Sequence, residues 1–380
     1  MEYSVPYILL MGFYGLMAWW YQGAEDDNTR RTIKLLCAGM TQFFWGFRGF
    51  CFFDWMSYYP TFFVLEPSKM SDPANWTTEP GFRLLMALCK AITNDYSFFI
   101  FTCTLINVVF LSRFLSRHVD NFPLGMMFCM AIGGFGLFSD LLRNAIALFI
   151  FINALDYIKE RRPWPYFSLC FVALLFHTSS LVYIPFYFFA HRRMKKWVFT
   201  TVFASGVLVY ALRIPLLIDG VTYLLQVAGI DASEKLYSYL VAVSKTPPPI
   251  NFVFMERLLT GTLTIIYMDK LRSLRKDADV YINSLLLFLA LNLFIYEFET
   301  ISVRTALLFS FGCWIVWNDL LKCFSYDTNR KLFLLFMSAY CMLRVIGFTK
   351  NSRLAKYDNV LFDSETYLQR KSMFNKIFED

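Results

Sequence analysis

The sequence contains few residues that could ligate a metal ion or carry a disulfide framework. It has three histidines, and none of its nine cysteines forms a C-x-x-C pair with another. Structural zinc sites and disulfide-rich secreted folds both depend on closely spaced clusters of such residues. We therefore expect no metal centre, no cofactor and no disulfide framework.

Charged residues are also scarce. They make up 17% of the 380 residues, whereas 57% are hydrophobic and 43 are phenylalanine. This balance lies outside that of soluble globular chains and predicts an all-α, polytopic integral membrane protein. The net charge of +7 then reflects Lys and Arg placed in cytoplasmic loops. We expect a lipid bilayer, and no nucleic acid, as partner.

Ten apolar segments approach the length that a membrane-crossing helix requires. The first, residues 4–21, has no basic segment before it and no small-residue cleavage site after it. It is therefore predicted to be an anchor with its N-terminus outside, not a cleaved signal. The other predicted spans are 33–53, 97–114, 122–138, 141–157, 197–214, 253–269, 280–297, 301–318 and 331–348.

The segment Trp164 to Ala190 is long for one crossing and short for two. Basic residues flank it on both sides, and the positive-inside rule favours a cytoplasmic position for both flanks. A re-entrant hairpin that turns near His177–Ser180 satisfies the rule. Such a turn is tolerated at membrane depth where protein or water surrounds it. The flanking basic residues are Lys159, Arg161, Arg162, Arg192, Arg193, Lys195 and Lys196.

No soluble domain or internal repeat is visible, so residues 1–380 are predicted to form a single polytopic membrane domain. Segments 54–96 and 215–252 contain few basic residues, which places them outside as long loops. The tail 349–380 alternates Lys and Arg with Tyr, Phe and Leu. This pattern favours an interfacial helix near Thr366–Phe378 over disorder.

Four groups of charged or polar residues lie inside the apolar segments or at their ends. Ionisable groups are costly in the hydrocarbon region and are usually kept for a substrate path or a reactive site. In the predicted topology the four groups meet in one outward-facing pocket, which the tip of the hairpin approaches. The groups are Arg48–Asp54, Asp140–Asn144, His177–Ser180 and Glu297–Arg304.

The residue types in this pocket match a polyprenyl-diphosphate-linked sugar donor. Arginine binds phosphate oxygens bidentately and keeps its charge, so Arg48, Arg143 and Arg304 are predicted to hold the diphosphate. Transfer also needs a base that accepts the proton of the acceptor hydroxyl. The candidate bases are Asp54, His177 and Glu79.

Several short motifs resemble, in the same order, those of the EpsG family of exopolysaccharide polymerases, relatives of the Wzy polymerases. The resemblance covers roughly residues 40–310 and departs at Phe52, where the family usually has glycine. The motifs are R-x5-D-x3-Y over Arg48–Tyr58, E-P-G-F over Glu79–Phe82, R-N-A-I-A over Arg143–Ala147, F-H-T-S-S over Phe176–Ser180 and a late Arg304.

This resemblance implies a GT-C-like helical fold and a glycosyltransferase at the outer face of the bacterial cytoplasmic membrane. The implied reaction polymerises undecaprenyl-diphosphate-linked oligosaccharide repeat units, with a flippase and a chain-length regulator as further partners. The spacing of Asp54 from Arg48 matches the family signature and favours Asp54 as the base. Candidate substrate-binding residues are Tyr58, Asn144, Ser179 and Glu297.

Two other functions fit parts of the sequence. Phe47–Phe50 resembles the F-R-G-I start of membrane O-acyltransferases, which would modify surface glycans. Those enzymes need a histidine about one helix later as base, and the nearest, His118, falls in a predicted inner loop. A lipid-linked oligosaccharide flippase would be a longer chain with two similar halves, and no duplication is visible.

Several of these residues also have other interpretations. Arg48 and Asp54 could form an ion pair that pins a helix end, and His177 could be a hydrogen-bonded core residue. Glu297 and Glu299 together could bind a divalent cation. Asp277-Ala278-Asp279 lies on the predicted inner side, and we interpret it as a solvated loop.

Overall fold

The computed structural model describes residues 2–66, 78–217, 220, 250–349, 353–362 and 364–379. Within these ranges the chain is helical, and its only β-type pairing is an isolated bridge between Arg48 and Asn359. The predicted all-α fold is therefore confirmed for the described residues, and it is consistent with the predicted membrane protein. The loops 54–96 and 215–252 and the tail 349–380 lie partly outside the described residues.

The α-helices follow one another with short breaks. Their bounds are α1 Val5–Gly23, α2 Asp27–Gly46, α3 Trp55–Val64, α4 Pro80–Ile92, α5 Tyr96–His118, α6 Phe122–Cys129, α7 Phe135–Ser139, α8 Leu142–Ile152, α9 Leu155–Lys159, α10 Pro163–Leu174, α11 Tyr183–Phe189, α12 Lys196–Leu212, α13 Phe252–Leu274, α14 Ala278–Phe294, α15 Glu299–Leu307, α16 Phe311–Cys323, α17 Asp327–Thr349 and α18 Tyr367–Glu379. A π-turn over Met130–Gly134 joins α6 to α7, and a 3₁₀ turn over Thr178–Val182 precedes α11.

The chain divides into two compact units, Met1–Tyr187 with Asp327–Asp380 and Phe188–Tyr326. In the first unit α2 packs on α5, α1 packs on α6, and both α5 and α10 pack on α8. Every residue of α8 except Arg143 is buried, so α8 is the central helix of this unit.

The second unit is organised around α14, which packs against α12, α15 and α16. A Cβ at Gly312 would lie 2.5 Å from the backbone nitrogen of Leu285, so the contact between α14 and α16 requires glycine there.

The interpretation of Asp277-Ala278-Asp279 as a solvated loop is wrong. Asp277 pairs with Arg275 at 2.7 Å and Asp279 pairs with Arg272 at 2.8 Å, with all four side chains largely buried.

Three described helical stretches are long and apolar enough to cross a membrane. They are Tyr96–His118, Phe122–Ser139 and Asp327–Thr349. Residues Ile301–Leu307 and Phe311–Cys323 make a fourth if this pair, bent by 59°, is one broken span. Shorter apolar helices occupy Pro163–Leu174, Thr178–Phe189, Lys196–Leu212 and Ala278–Phe294. The number of ten spans stays a prediction.

The predicted span 33–53 extends too far, because α2 ends at Gly46. Residues 47–54 form an irregular loop whose backbone groups bond to other segments instead of continuing the helix. The amides of Gly49 and Phe52 donate to the carbonyls of Asp358 and Leu354, each at 2.9 Å. The loop is therefore held by the C-terminal tail.

The segment 164–190 folds back on itself. The phenol of Tyr166 donates to the carbonyl of Tyr183 at 2.6 Å, and the rings of Phe167 and Tyr187 lie 5.1 Å apart. Helices α10 and α11 are thus antiparallel neighbours, joined by residues 175–182, which include the 3₁₀ turn Thr178–Val182. The re-entrant placement of this hairpin in a bilayer stays a prediction.

Candidate functional site

Arg143 lies at the start of α8 and links two other segments of the first unit. Its Nε donates to the phenol oxygen of Tyr58 at 2.7 Å, and its Nη1 donates to Glu79 Oε2 at 2.5 Å. The guanidinium also lies over the Tyr58 ring, 5.7 Å from its centre. The Arg143 side chain is 28% exposed, so it remains accessible from outside the unit.

Glu79 precedes Pro80, the first residue of α4, and contacts the hairpin as well as Arg143. Its Oε1 accepts from the amide of Thr178 at 3.2 Å. Next to it, the amide of Gly81 donates to the carbonyl of Leu175 at 2.8 Å. A Cβ on Gly81 would lie 2.8 Å from that carbonyl oxygen, so glycine is needed for this approach.

The Glu79 carboxyl lies outside the predicted spans, and its contacts favour the ionised form. Burial acts to raise its pKa. Hydrogen bonds from its own amide, from Arg143 and from Thr178, together with the positive charge of Arg143, outweigh burial and lower the pKa below its ordinary value. Glu79 is therefore a carboxylate that orients Arg143 and the hairpin tip.

The hairpin tip also contacts α8. The hydroxyl of Ser179 donates to Asn144 Oδ1 at 2.8 Å, and His177 Nδ1 accepts from the amide of Ser179 at 3.0 Å. Six predicted site residues are thus joined in one set of contacts, which we call the Arg143 cluster. Its members are Tyr58, Glu79, Arg143, Asn144, His177 and Ser179.

Asp54 contacts the start of α8 through a separate set of hydrogen bonds. Asp140 Oδ1 accepts from the amides of Phe53 and Asp54 at 2.8 and 2.7 Å. Asp54 Oδ2 in turn lies 3.4 Å from the amide of Leu142. Asp140 therefore fixes the backbone that carries Asp54. The polar patch Asp140–Asn144 contained the signal for this role, but Asp140 was not among the predicted site residues.

Phe52 occupies the position where the sequence departs from the family motif. Its φ is 62°, in the left-handed region that glycine adopts most easily. The ring compensates by stacking on Phe348 at 4.8 Å, and the carbonyl accepts from the Trp55 indole at 2.9 Å. The turn before Asp54 thus places a phenylalanine at a backbone angle that favours glycine.

A cavity of about 300 Å³ lies beside Asp54, between the 47–54 loop and the C-terminal tail. We call it the tail cavity. The 47–54 loop contributes Arg48 and Asp54. Helices α3, α5 and α7, with the residue before α5, contribute Trp55, Tyr59, Asp95, Tyr96 and Ser139, and the tail contributes Val360, Ser364, Glu365, Thr366 and Tyr367. The Arg48 side chain is 5% exposed and donates to the Trp45 carbonyl at 2.6 Å.

The tail helix α18 forms where the sequence predicts a helix, but it packs against protein. Tyr367 stacks on Tyr59 with ring centres 4.3 Å apart, and Arg370, 2% exposed, pairs with Asp358. The pattern of basic and aromatic residues predicts a helix, but it does not identify the surface against which the helix packs. Its interfacial position in a bilayer stays a prediction.

Glu297 and Arg304 belong to the second unit. Glu297 Oε1 accepts from the amide of Leu217 at 2.9 Å, and Arg304 is exposed in the last turn of α15. The Glu299 side chain lies outside the described part of the structure, so its pairing with Glu297 around a cation stays untested. Among the described residues, no three His, Cys, Asp or Glu side chains are grouped as a metal site.

A family model described as the EpsG family matches residues 33–359. The chain belongs to the EpsG family. EpsG is a Wzy-like polymerase family, so the resemblance inferred from the motifs is confirmed, and the chain is identified as a polysaccharide polymerase of glycosyltransferase type in a membrane. No curated protein and no solved structure matches the chain. The matched range includes the Arg143 cluster and ends before the EpsG chain's tail helix α18.

Proposed function

We propose that this EpsG protein joins polyprenyl-diphosphate-linked oligosaccharide repeat units at the outer face of the bacterial cytoplasmic membrane. The observation that carries the proposal is the Arg143 cluster. It combines a partly exposed guanidinium, an ionised carboxylate and the hairpin tip, and a second carboxylate, Asp54, accepts from the amide of Leu142, the residue before Arg143. These groups supply charge stabilisation and proton acceptance, which are the two requirements of glycosyl transfer from a diphosphate.

Arg143 is better suited than Arg48 to the departing diphosphate. The Arg143 side chain is partly exposed and is aligned by Tyr58 and Glu79. Arg48 is nearly enclosed, and its Nη1 is engaged with the Trp45 carbonyl. A guanidinium held in place before the reaction stabilises developing negative charge without reorganisation. We therefore assign the diphosphate first to Arg143.

Asp54 is the best candidate for the base. Both oxygens of Glu79 accept hydrogen bonds, and its lowered pKa makes it a weak proton acceptor. His177 Nδ1 already accepts a hydrogen bond, so a neutral His177 carries its proton on Nε2 and acts as a donor. Asp54 borders the tail cavity, where an acceptor hydroxyl can approach it.

The proposed step balances without a cofactor. The acceptor hydroxyl oxygen forms a bond to the anomeric carbon of the donor sugar, and the bond from that carbon to the diphosphate oxygen breaks. The hydroxyl proton moves to Asp54, and polyprenyl diphosphate leaves as a stable anion beside Arg143. No general acid is needed, because the leaving group requires no proton.

A reconstituted assay tests the proposal. The purified chain in lipid vesicles receives lipid-linked repeat units extracted from cells that lack it. We expect a ladder of longer glycans and one polyprenyl diphosphate released for each new linkage. Elongation from nucleotide sugars, or elongation without release of polyprenyl diphosphate, would contradict the proposal.

A further inference from the structure

The tail cavity is lined by aromatic residues that do not belong to the Arg143 cluster. Aromatic rings form much of its wall, and Tyr59 of α3 stacks on Tyr367 of α18 at 4.3 Å and 8°. Aromatic faces pack against the apolar faces of sugar rings, while nearby polar groups bind ring hydroxyls. The volume of about 300 Å³ lies at the lower end of small-molecule sites and suits a short saccharide.

Two hydroxyl groups of cavity-lining residues are buried without a hydrogen-bond partner among the described residues. They belong to Tyr96, which is 6% exposed, and Ser139, which is 3% exposed. Buried polar groups are nearly always paired, and leaving one unpaired costs free energy. A ligand rich in hydroxyl groups would supply the missing partners.

The charges around the cavity decide between a sugar and a diphosphate. Three carboxylates line it, from Asp54, Asp95 and Glu365, against the guanidinium of Arg48. Glu365 pairs with Lys356 and Arg370, so Asp54 and Asp95 leave a surplus of one negative charge over Arg48. A surplus of negative charge opposes binding of a doubly charged phosphate group. A neutral glycan carries no such penalty, and its hydroxyl groups can donate hydrogen bonds to the carboxylates.

We infer that the tail cavity binds a terminal sugar of the glycan and that the C-terminal tail selects which sugar is accepted. Thr366 and Tyr367 supply a hydroxyl and a ring to the wall and lie beyond the family-matched residues 33–359. Assignment of this sugar as the acceptor rests on the proposed function, because Asp54 borders the cavity. Binding of a saccharide there does not depend on that assignment.

A binding titration tests the inference. The probe is the oligosaccharide mixture obtained by partial acid hydrolysis of the host's own surface polysaccharide. Saturation-transfer NMR with the full chain in lipid nanodiscs reports its binding. We expect Tyr96→Phe and Ser139→Ala each to weaken binding by about threefold to tenfold, as for a lost hydrogen bond. Tyr367→Leu should also weaken binding and change which oligosaccharides bind.

Ser112→Ala is the matched control. Ser112 on α5 also has a buried hydroxyl without a hydrogen-bond partner among the described residues, but it does not line the cavity. The Ser112→Ala variant should bind the oligosaccharides with the affinity of the wild type. Tyr96→Phe and Ser139→Ala should not lower the melting temperature, because each removes a buried group without a partner.

The two proposals fail in different ways. If the wild type does not bind the probe, or if Tyr96→Phe and Ser139→Ala bind it as tightly as the wild type, the cavity is not a sugar site. The polymerase proposal survives that outcome. If saccharides bind as expected and the chain elongates no lipid-linked glycan, the result contradicts the polymerase proposal and supports the sugar site.

Discussion

Arg143 and Glu79 form an ion pair, with Nη1 and Oε2 2.5 Å apart, that joins the central helix α8 to the start of α4. The other oxygen of Glu79 binds the Thr178 amide at the hairpin tip. One carboxylate therefore connects three segments that are distant in the sequence. Because the Glu79 pKa is lowered, this connection is present across the physiological pH range.

Two substitutions of Arg143 should distinguish the effect of its positive charge from the effect of its bidentate contacts. Arg143→Ala should lower the rate of glycan elongation by about 100-fold or more, since the stabilised diphosphate loses its cation. Arg143→Lys keeps the charge but loses the fork that reaches both Tyr58 and Glu79, so a loss of about tenfold is expected. The measurement is the elongation rate in vesicles at equal protein content. Wild-type polymer length from Arg143→Ala would remove Arg143 from the site.

Acidification should weaken the contribution of Glu79 to stability. A carboxyl whose pKa is lower in the folded chain stabilises the fold above its unfolded pKa, about 4.3, and loses this effect as the pH falls through the folded value. The difference in melting temperature between wild type and Glu79→Gln should therefore be largest near neutral pH. It should shrink once the pH falls below the unfolded pKa of about 4.3. A difference that grows on acidification would contradict the lowered pKa.

Gly81→Ala should separate α4 from the hairpin. The added Cβ would meet the Leu175 carbonyl at 2.8 Å, so one of the two segments must move, at a cost of about 1–3 kcal/mol. Gly136→Ala in α7 is the control, because a Cβ there meets nothing within 4 Å and alanine favours the helix. Thermal unfolding of the purified chain measures both. Equal stability of the two variants would contradict the close approach.

Much of the candidate site could be predicted because its residues interrupt apolar segments. Arg143, Asn144, His177 and Ser179 stand out against the membrane composition around them, and the order of short motifs links them to Glu79. The structure joins these residues by hydrogen bonds. Their chemical roles stay predictions.

Other features could not be read from the pattern. The 47–54 loop is as apolar as a helix, and its departure from α2 depends on backbone bonds to tail residues some 300 positions later in the chain. Helix α18 was predicted, but amphipathicity does not identify its partners, Tyr59 and Trp55. Tertiary contacts decide both, and a local pattern contains no information about them.

The hairpin predicts a specific labelling pattern. All nine native cysteines are buried, so an impermeant thiol reagent should give little background in intact cells. Glu160→Cys and Arg193→Cys, on the two flanks of the hairpin, should react only after the inner face is exposed. Ser57→Cys on α3 should react from outside. Outside labelling of either flank would contradict the re-entrant hairpin.

The most direct test of the account is the turnover of Asp54→Asn in the reconstituted assay with lipid-linked repeat units. Asparagine keeps the shape of the side chain but cannot accept the proton, so turnover should fall by about 10²–10⁴-fold while the lipid-linked substrate still binds. Asp26→Asn is the control, because asparagine caps α2 as well as aspartate does and should leave turnover unchanged. Glycan elongation by Asp54→Asn at the wild-type rate would contradict the assignment of Asp54 as the base.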